Sequence, residues 1–241
     1  MSEQEKNMLE ENSSLYLAPD PGRVVDQKVS KYMVEKMFGR LKGPKILEMG
    51  FGDNYWTARI IEKFGQAYIV DASESLLEKA KEIYGGKVTT FVSLFETFEA
   101  KEKFDTVLAT FVLDHVADHM AVLKQARTWL AEDGVLIIMV PHALSLHRRL
   151  AVCMGMQKEE TDLGETDLQL VHRRVFTIER LEKDLSSLGY RVVKKGGMLS
   201  KALPQGMMTG YSDEMLKGLV ELGSVLPMEY AAVLVYECVK A

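Results

Sequence analysis

The stretch 135–140 is apolar at every position, and it constrains the fold more than any other part of the chain. It follows a turn at Asp133 and Gly134 and is far too short to cross a bilayer, so it is predicted to be a β-strand covered on both faces. Strands of this kind occur in parallel sheets that carry helices on each side. The chain is therefore expected to fold as an α/β protein.

Strands and amphipathic helices alternate along most of the 241 residues. Apolar runs predict strands at 45–49, 67–70, 88–92, 104–110, 135–140, 190–193 and 231–239. Helical spacing and capping residues predict helices at 23–41, 54–64, 74–84, 118–130, 178–188 and 213–222. This order predicts a doubly wound, mainly parallel seven-stranded sheet of Rossmann-like type, with a helix at its N-terminal side.

The chain is predicted to form one domain, 1–241, and the alternation of strands and helices defines its segments. An N-terminal helical segment spans 1–44, and a core with the regular alternation spans 45–140. A late insertion, 142–176, interrupts the alternation before the C-terminal helix and strands of 177–241. Ligands bind such sheets at the carboxyl ends of the strands, so the insertion is expected to cap the site and select the substrate.

Charge and cysteine content exclude several classes of protein. The net charge of -5 and the lack of a Lys/Arg block argue against a nucleic-acid partner. No segment has the pattern of a secretory signal or a membrane span. The two cysteines, Cys153 and Cys238, are far apart, so a disulfide framework is not expected and a cytoplasmic location is. Cys153 lies in an apolar run and is expected to be buried and inert.

A glycine motif, Glu48-Met-Gly50-Phe-Gly52-Asp-Asn54, connects the first predicted strand to the next helix. Glycines here let the backbone turn sharply and let a ligand approach without meeting a Cβ atom. Asp71 ends the following strand, where an acidic side chain can accept hydrogen bonds from both hydroxyls of a ribose. The motif predicts a site for a cofactor that contains adenosine.

The motif lacks the third glycine of a dinucleotide fingerprint and carries Asp53 near the helix start. A carboxylate there would repel a pyrophosphate but would be favourable beside the sulfonium and ammonium groups of S-adenosylmethionine. Glu48 can hold the amino end of its methionine part. S-adenosylmethionine is therefore the predicted cofactor. An NAD(P)-dependent oxidoreductase and a catalytically silent cofactor-binding protein are the alternatives.

Residues 45–140 resemble the class I S-adenosylmethionine-dependent methyltransferases in motif and in order of elements. The resemblance implies that Asp71 binds ribose, that Leu94 and Phe95 contact adenine, and that the segment from Thr110 lies under the methionine chain. The predicted cofactor-binding residues are Glu48, Gly50, Gly52, Asn54, Asp71, Ala72, Ser73, Leu94, Phe95, Thr110 and Phe111.

The late insertion is similar to bacterial methyltransferases of sugar and natural-product biosynthesis. The similarity rests on the run from Pro141 to Arg149, on Met154-Gly155 and on the run from His172 to Arg174, with His142 where those proteins typically have Asn. It implies transfer to a nitrogen or oxygen of a small-molecule acceptor, with a sugar or nucleotide-linked sugar among the candidates. A nucleic-acid methyltransferase would usually carry an Asn/Asp-Pro-Pro-aromatic segment after the fourth strand, which is absent here.

Histidines are the candidates for catalysis, because a nitrogen or oxygen acceptor must lose a proton and a neutral imidazole is a suitable base. His147 is the preferred base with His172 in support, His142 competes with His147, and His115 is expected to position substrate or cofactor. His115 and His119 are one helical turn apart, but the pair straddles a predicted helix start, so no metal site is expected. Four arginines either bind an anionic acceptor or balance neighbouring carboxylates: Arg148, Arg149, Arg173 and Arg174.

Overall fold

The computed structural model describes residues 13, 23–164, 167–168 and 170–241. Seven strands form one sheet in the order β3-β2-β1-β4-β5-β7-β6, in which only β7 runs antiparallel to its neighbours. The predicted fold class is confirmed. Nearly half of the predicted N-terminal segment 1–44, residues 1–12 and 14–22, lies outside the described residues.

The strands and helices follow the predicted order. The strands are β1 Ile46–Met49, β2 Ala67–Asp71, β3 Val88–Val92, β4 Phe104–Thr110, β5 Leu130–Pro141, β6 Tyr190–Met198 and β7 Val233–Lys240. The helices are α1 Val24–Met37, α2 Tyr55–Phe64, α3 Glu74–Tyr84, α4 His119–Trp129, α5 Leu146–Cys153, α6 Ile178–Ser187 and α7 Asp213–Val225.

Helices cover both faces of the sheet, as the apolar run in β5 requires. One core combines β4 and β5 with α4 and α6, through buried side chains such as Val122 and Leu185. The opposite core combines α1, α2 and α7 with the sheet, through Val29, Ile60 and Val220. Because β1 pairs in parallel with both β2 and β4, the carboxyl ends of these three strands meet at one edge.

Strand β6 extends beyond the predicted 190–193 and continues through Gly196 and Gly197 to Met198. A Cβ atom on Gly197 would lie 2.4 Å from the Cβ of Ala231 and 2.8 Å from the carbonyl oxygen of Gly223. The glycine therefore allows α7 to approach the strand closely, a role that a strand pattern does not reveal.

The late insertion closes on itself where it leaves and rejoins the sheet. The amide of Ala143 donates to the carbonyl of Phe176 at 2.8 Å, and the amide of Phe176 donates to Pro141 at 3.0 Å. Within it lies α5, where the sequence analysis predicted only an irregular connection. Across the described part of the chain, no helix has the length and apolar content of a membrane span.

Candidate active site

The glycine loop after β1 adopts the backbone conformation that its residues favour. Gly50 and Gly52 have φ angles of 79° and 46°, and Asn54 has a φ angle of 59° directly before α2. The left-handed region is open to glycine and tolerated by asparagine. The amide of Gly50 donates to the carbonyl of Val70 at 2.8 Å, which attaches the loop to the end of β2.

Asp71 connects the glycine loop to the start of α3. Its Oδ2 accepts a hydrogen bond from the amide of Phe51 at 3.0 Å, and its Oδ1 accepts one from the amide of Ser73 at 2.9 Å. A Cβ on Gly50 would come within 3.9 Å of this carboxylate. Each oxygen of a carboxylate has a second acceptor site, so Asp71 can hold the loop and still accept from a ribose hydroxyl.

The ends of β2 and β3 meet beside this carboxylate. The amide of Ser93 donates to the backbone oxygen of Asp71 at 2.9 Å, which brings the following Leu94 and Phe95 to the same edge. Ser73 caps α3 by accepting from the amide of Leu76 at 3.2 Å. Leu94, Phe95 and Ala72 are all half-buried, and their contacts with the cofactor stay a prediction.

Glu48 is a carboxyl group inside the protein, only 3% exposed at the end of β1. The hydroxyl of Thr57 in α2 donates to it. Burial raises the pKa of Glu48 to about 8, the charge of Asp71 adds to this rise, and the Thr57 hydrogen bond opposes it. The pKa shift means that Glu48 is a poorly solvated acid, which a cationic ammonium group would help to ionise.

Asp53 has a partner within the chain, which corrects one step of the sequence argument. Arg23 at the start of α1 donates to its carboxylate at 3.0 Å. Its charge is therefore balanced by an arginine and gives little reason to exclude a pyrophosphate. The missing third glycine and the buried acid Glu48 still favour a sulfonium-containing cofactor. The loop, Glu48 and Asp71 together provide donors and acceptors that fit S-adenosylmethionine.

The segment after β4 begins with a strained residue. Phe111 has a φ angle of 55°, a conformation that is a clear outlier for a bulky side chain. Its amide donates to the carbonyl of Met139 at 2.8 Å, which holds the segment against β5. Strain of this kind concentrates at functional sites, and here it directs the chain from Thr110 toward Asp114 and His115.

Asp114, His115 and His172 form a cluster that joins this segment to the late insertion. Asp114 is fully buried, and neither of its carboxylate oxygens has a hydrogen-bond partner among the described residues. Its Oδ2 lies 3.3 Å from Nε2 of His172 and 3.7 Å from Nε2 of His115. The two imidazole rings meet edge to face with centroids 4.7 Å apart. The side chain of His115 is 33% exposed, so the cluster reaches the surface through it.

His172 also contacts a second carboxylate. Its Nδ1 lies 3.0 Å from Oδ1 of Asp167, which also pairs with Arg148 and accepts from the amide of Gly164 at 2.8 Å. Burial lowers the pKa of His172, but the Asp167 hydrogen bond and the charge of Asp114 outweigh it and raise the pKa above its ordinary value. Burial lowers the pKa of His115, with only partial compensation from Asp114.

His147 lies at the other end of the insertion, in α5, and contacts different residues. Its Nδ1 is 3.1 Å from the hydroxyl of Ser145. Burial, together with the positive charges of Lys201 and Arg148, lowers the pKa of His147 to about 2. Burial likewise lowers the pKa of Lys201, to about 8. His147 is therefore neutral and a weak base, so the structure gives little support to the prediction that it accepts the proton.

The two remaining histidines are engaged in the core. His142 is buried, with Nδ1 3.0 Å from the carbonyl oxygen of Ala231. His119 is buried in α4, with Nε2 2.8 Å from Asp184. His119 therefore does not join His115, and the pair considered for a metal in the sequence is not formed.

Most of the arginines in the insertion are bound to the chain itself. Arg148 is buried and donates to Asp167 and to the carbonyl of Asp162 at 2.8 Å. Arg174 donates to the carbonyls of Leu113 and Val116, both at 2.6 Å. Arg149 donates to the carbonyl of Leu144, and only Arg173 of the four is exposed. Arg174 thus holds the insertion against the segment after β4, whereas Arg148 and Arg149 bind residues within the insertion.

Three residues at the site were not singled out from the sequence. Asp114 directly precedes His115 and follows two apolar residues, which is the signal that could have identified it. Asp167 and Arg23 gave no such signal, because their partners are distant in the chain. The expectation for Cys153 is wrong: it is exposed, since it lies at the outer end of α5, whereas Cys238 is buried.

The chain was compared with protein families, with characterised relatives and with solved structures, and each comparison finds methyltransferases. A family model described as a methyltransferase domain matches residues 23–195. Pavine N-methyltransferase from Thalictrum flavum subsp. glaucum is 24% identical over 102 residues, which covers 40% of this chain and 29% of that relative. The chain therefore spans less than a third of the length of this curated relative.

Solved structures share the fold over nearly the whole chain. A possible histamine N-methyltransferase from Thermotoga maritima matches with a TM-score of 0.64 at 18% identity and covers 98% of each chain. The 1,6-didemethyltoxoflavin-N1-methyltransferase of Burkholderia thailandensis matches with a TM-score of 0.59 at 16% identity, covering 100% of this chain and 92% of that one. At these identities the likeness is one of fold.

Proposed function

The chain belongs to the methyltransferase domain family, and from that premise we propose that it transfers a methyl group from S-adenosylmethionine to a nitrogen or oxygen of a small-molecule acceptor. The observation that carries the proposal is the meeting of two groups of residues at one sheet edge. The glycine loop with Glu48 and Asp71 follows β1 and β2, and the cluster of Asp114, His115 and His172 follows β4.

The first group is assigned to the cofactor. The backbone of the glycine loop accommodates it closely, Asp71 accepts from the ribose hydroxyls, and Glu48 receives the ammonium group. Leu94 and Phe95 flank the adenine, and Thr110 and Phe111 lie under the methionine chain. When bound, S-adenosylmethionine supplies an electrophilic methyl group on a sulfonium. The NAD(P)-dependent alternative is not favoured, because family membership and the missing third glycine both oppose it.

The second group is assigned to the acceptor. Methyl transfer is an in-line displacement, so the chain must align the acceptor's lone pair with the methyl group and take up its proton. His115 is the partly exposed member of the cluster and is the residue that meets the acceptor. His172 supports it from the insertion, with its orientation held by Asp167. Because of its low pKa, His147 is not assigned to proton removal.

The chemistry of the acceptor is constrained by the insertion. An anionic acceptor such as a nucleotide-linked sugar would need free guanidinium groups, and three of the four insertion arginines donate to the chain itself. A cavity next to α5 and α7 is instead lined mainly by apolar side chains, among them Leu146, Met208, Met215 and Leu219. We propose that this cavity, to which Leu146 of the insertion contributes, receives the body of the acceptor, and we therefore place an apolar acceptor first and a sugar second.

The experiment is a binding measurement followed by an acceptor screen. Calorimetry with S-adenosylhomocysteine and with NAD should give saturable binding of the first only. Purified protein with methyl-labelled S-adenosylmethionine is then offered small amines and small hydroxyl compounds, both apolar and phosphorylated. Label should enter an uncharged small molecule. Tight binding of NAD without binding of S-adenosylhomocysteine would contradict the proposal.

A further inference from the structure

Asp114, His115 and His172, here called the acceptor-side cluster, lie close together without hydrogen bonds to the carboxylate of Asp114 among the described residues. Asp114 offers two oxygens without a hydrogen-bond partner among the described residues, in a position with no exposed surface. A buried carboxylate without hydrogen bonds depends on nearby positive groups, and here side-chain nitrogens of His172 and His115 lie 3.3 Å and 3.7 Å from its Oδ2. The guanidinium of Arg174 lies nearby but donates to the carbonyls of Leu113, Val116 and Ala117.

We propose that Asp114, His115 and His172 bind a divalent metal ion, with Zn²⁺ the best match, at the acceptor end of the site. One donor atom from each residue lies within 4.8 Å of the others. The set of two imidazoles and one carboxylate is found at catalytic zinc sites, which leave a further position for water or substrate. The part-exposed edge at His115 leaves that position accessible.

The separations of Asp114 from the two imidazoles are close to those between ligands of one ion. Zinc bonds of about 2.0–2.1 Å in tetrahedral geometry place neighbouring ligand atoms roughly 3.3–3.4 Å apart. The observed separations from Asp114 Oδ2 are 3.3 Å to His172 and 3.7 Å to His115. A small movement of the partly exposed His115 would bring the second distance to the expected value.

A second carboxylate orients one of the ligands. Asp167 lies 3.0 Å from Nδ1 of His172, so a proton on Nδ1 would leave Nε2 with its lone pair toward Asp114. A carboxylate behind a ligating histidine is a general feature of metal sites, because it sets the tautomer and raises the basicity of the ligand. Arg148 and the amide of Gly164 hold Asp167 in place in turn.

This inference deepens the proposed function by giving the cluster a mechanism. Here the imidazoles would act as ligands, and a bound cation would lower the pKa of an acceptor hydroxyl directed at it. The hydroxyl proton would leave to solvent water, and the oxygen would displace S-adenosylhomocysteine from the methyl group. On this mechanism the acceptor is a hydroxyl compound. An amine would instead have its lone pair occupied by the metal. Binding of the ion is measured without any acceptor, so it can be tested separately from methyl transfer.

The test begins with protein stripped by a chelator and titrated with Zn²⁺ against a chromophoric competitor, and with Co²⁺ followed by its visible ligand-field absorption. One equivalent should bind to the wild-type protein. His115→Gln, His172→Gln and Asp114→Asn should each weaken binding by at least about 100-fold, and Asp167→Asn by about 10–100-fold. His119→Gln is the matched control and should bind as tightly as the wild type, because His119 pairs with Asp184.

Two results would overturn the metal site. One is the absence of stoichiometric binding of either ion, in which case the cluster is an ion pair between His172 and Asp114. The other is binding that survives in both His115→Gln and His172→Gln. Far-ultraviolet circular dichroism checks folding of each variant, and half-exposed His115 keeps the test valid if Asp114→Asn fails to fold. Affinity for S-adenosylhomocysteine in stripped protein should be unchanged, which separates this inference from the proposed cofactor site.

Discussion

Asp71 and Asp114 lie at the same edge of the sheet, one at the end of β2 and the other just after β4, yet their surroundings are opposite. Asp71 accepts hydrogen bonds from two backbone amides, one on each oxygen. Asp114 is fully buried and accepts none among the described residues. The first carboxylate is part of a cradle that the chain completes by itself. The second needs a positive partner, which a histidine or a bound ion must supply.

The two ends of the late insertion show the same contrast in their histidines. Burial lowers the pKa of both imidazoles, but Asp167 and Asp114 reverse the shift at His172, whereas Lys201 and Arg148 increase it at His147. The sign of the neighbouring charges therefore separates two histidines that look equivalent in the sequence. The cofactor side and the acceptor side should accordingly respond to mutation in different measurements.

The largest effect is expected on the acceptor side. Replacing His115 by Ala should reduce turnover by about 10²–10⁴-fold, because the residue that meets the acceptor is lost. Affinity for S-adenosylhomocysteine should stay within about twofold, since the cofactor cradle is unchanged. Steady-state kinetics and calorimetry measure the two quantities, with His119→Gln as the control. A parallel loss of cofactor affinity would mean that the two sides are not separate.

The next effect concerns the stability of the cofactor side. The pKa of Glu48 is about 8 in the folded protein and near 4.5 when unperturbed. The folded state therefore keeps a proton that the unfolded chain loses, and stability falls as pH rises from about 4.5 to about 8. Glu48→Gln removes this dependence. The free energy of unfolding of Glu48→Gln, measured relative to the wild type, should therefore increase by on the order of 3 kcal/mol between pH 5 and pH 8.

Urea unfolding at several pH values measures this difference. Glu78→Gln, at an exposed position of α3, is the matched control and should show no comparable growth. A Glu48→Gln protein whose advantage over the wild type is the same at pH 5 and pH 8 would show that Glu48 is solvated in the folded state.

A smaller effect is expected from the carboxylate that forms the cradle. Asp71→Ala should weaken binding of S-adenosylhomocysteine by about 1–3 kcal/mol, the range for hydrogen bonds to a charged group. Both the ribose contact and the tie between the glycine loop and α3 are lost. Calorimetry measures the change, and Glu82→Ala on the exposed side of α3 is the control. An unchanged affinity would remove Asp71 from the cofactor site.

The smallest effect is expected at His147. Its neutral, weakly basic imidazole should be dispensable for proton removal, so His147→Ala should retain turnover within about threefold. The Michaelis constant for the acceptor is the sensitive readout, because α5 borders the apolar cavity. A fall in turnover as large as that in His115→Ala would contradict this prediction and restore His147 as the base.

Periodicity and local motifs were sufficient for the fold. All seven strands were predicted, because a strand buried on both faces leaves a continuous apolar run and a half-buried strand leaves alternating apolar residues. The glycine loop and Asp71 were also predictable, since their geometry depends on residues close in sequence and on the regular return of the chain through α2. The end of β6 could not be predicted in this way. Gly197 is needed there because α7 packs closely against the strand, and residues near Gly197 in the sequence do not show this contact.

What the sequence by itself determined was the sheet, its order of elements and the position of the glycine loop and Asp71 at the ends of β1 and β2, because these follow from local pattern. The cofactor contacts of these residues stay a prediction. Only the tertiary structure decided that His172 joins Asp114 and His115, that Arg23 neutralises Asp53, and that His119 turns to Asp184. These pairings depend on the path of the insertion, which has no repeating pattern. Arg174, by donating to the backbone after β4, holds that path in place. Charged groups a few ångströms away then shift the pKa of each histidine. Because these groups can be far apart in the sequence, local pattern does not reveal them.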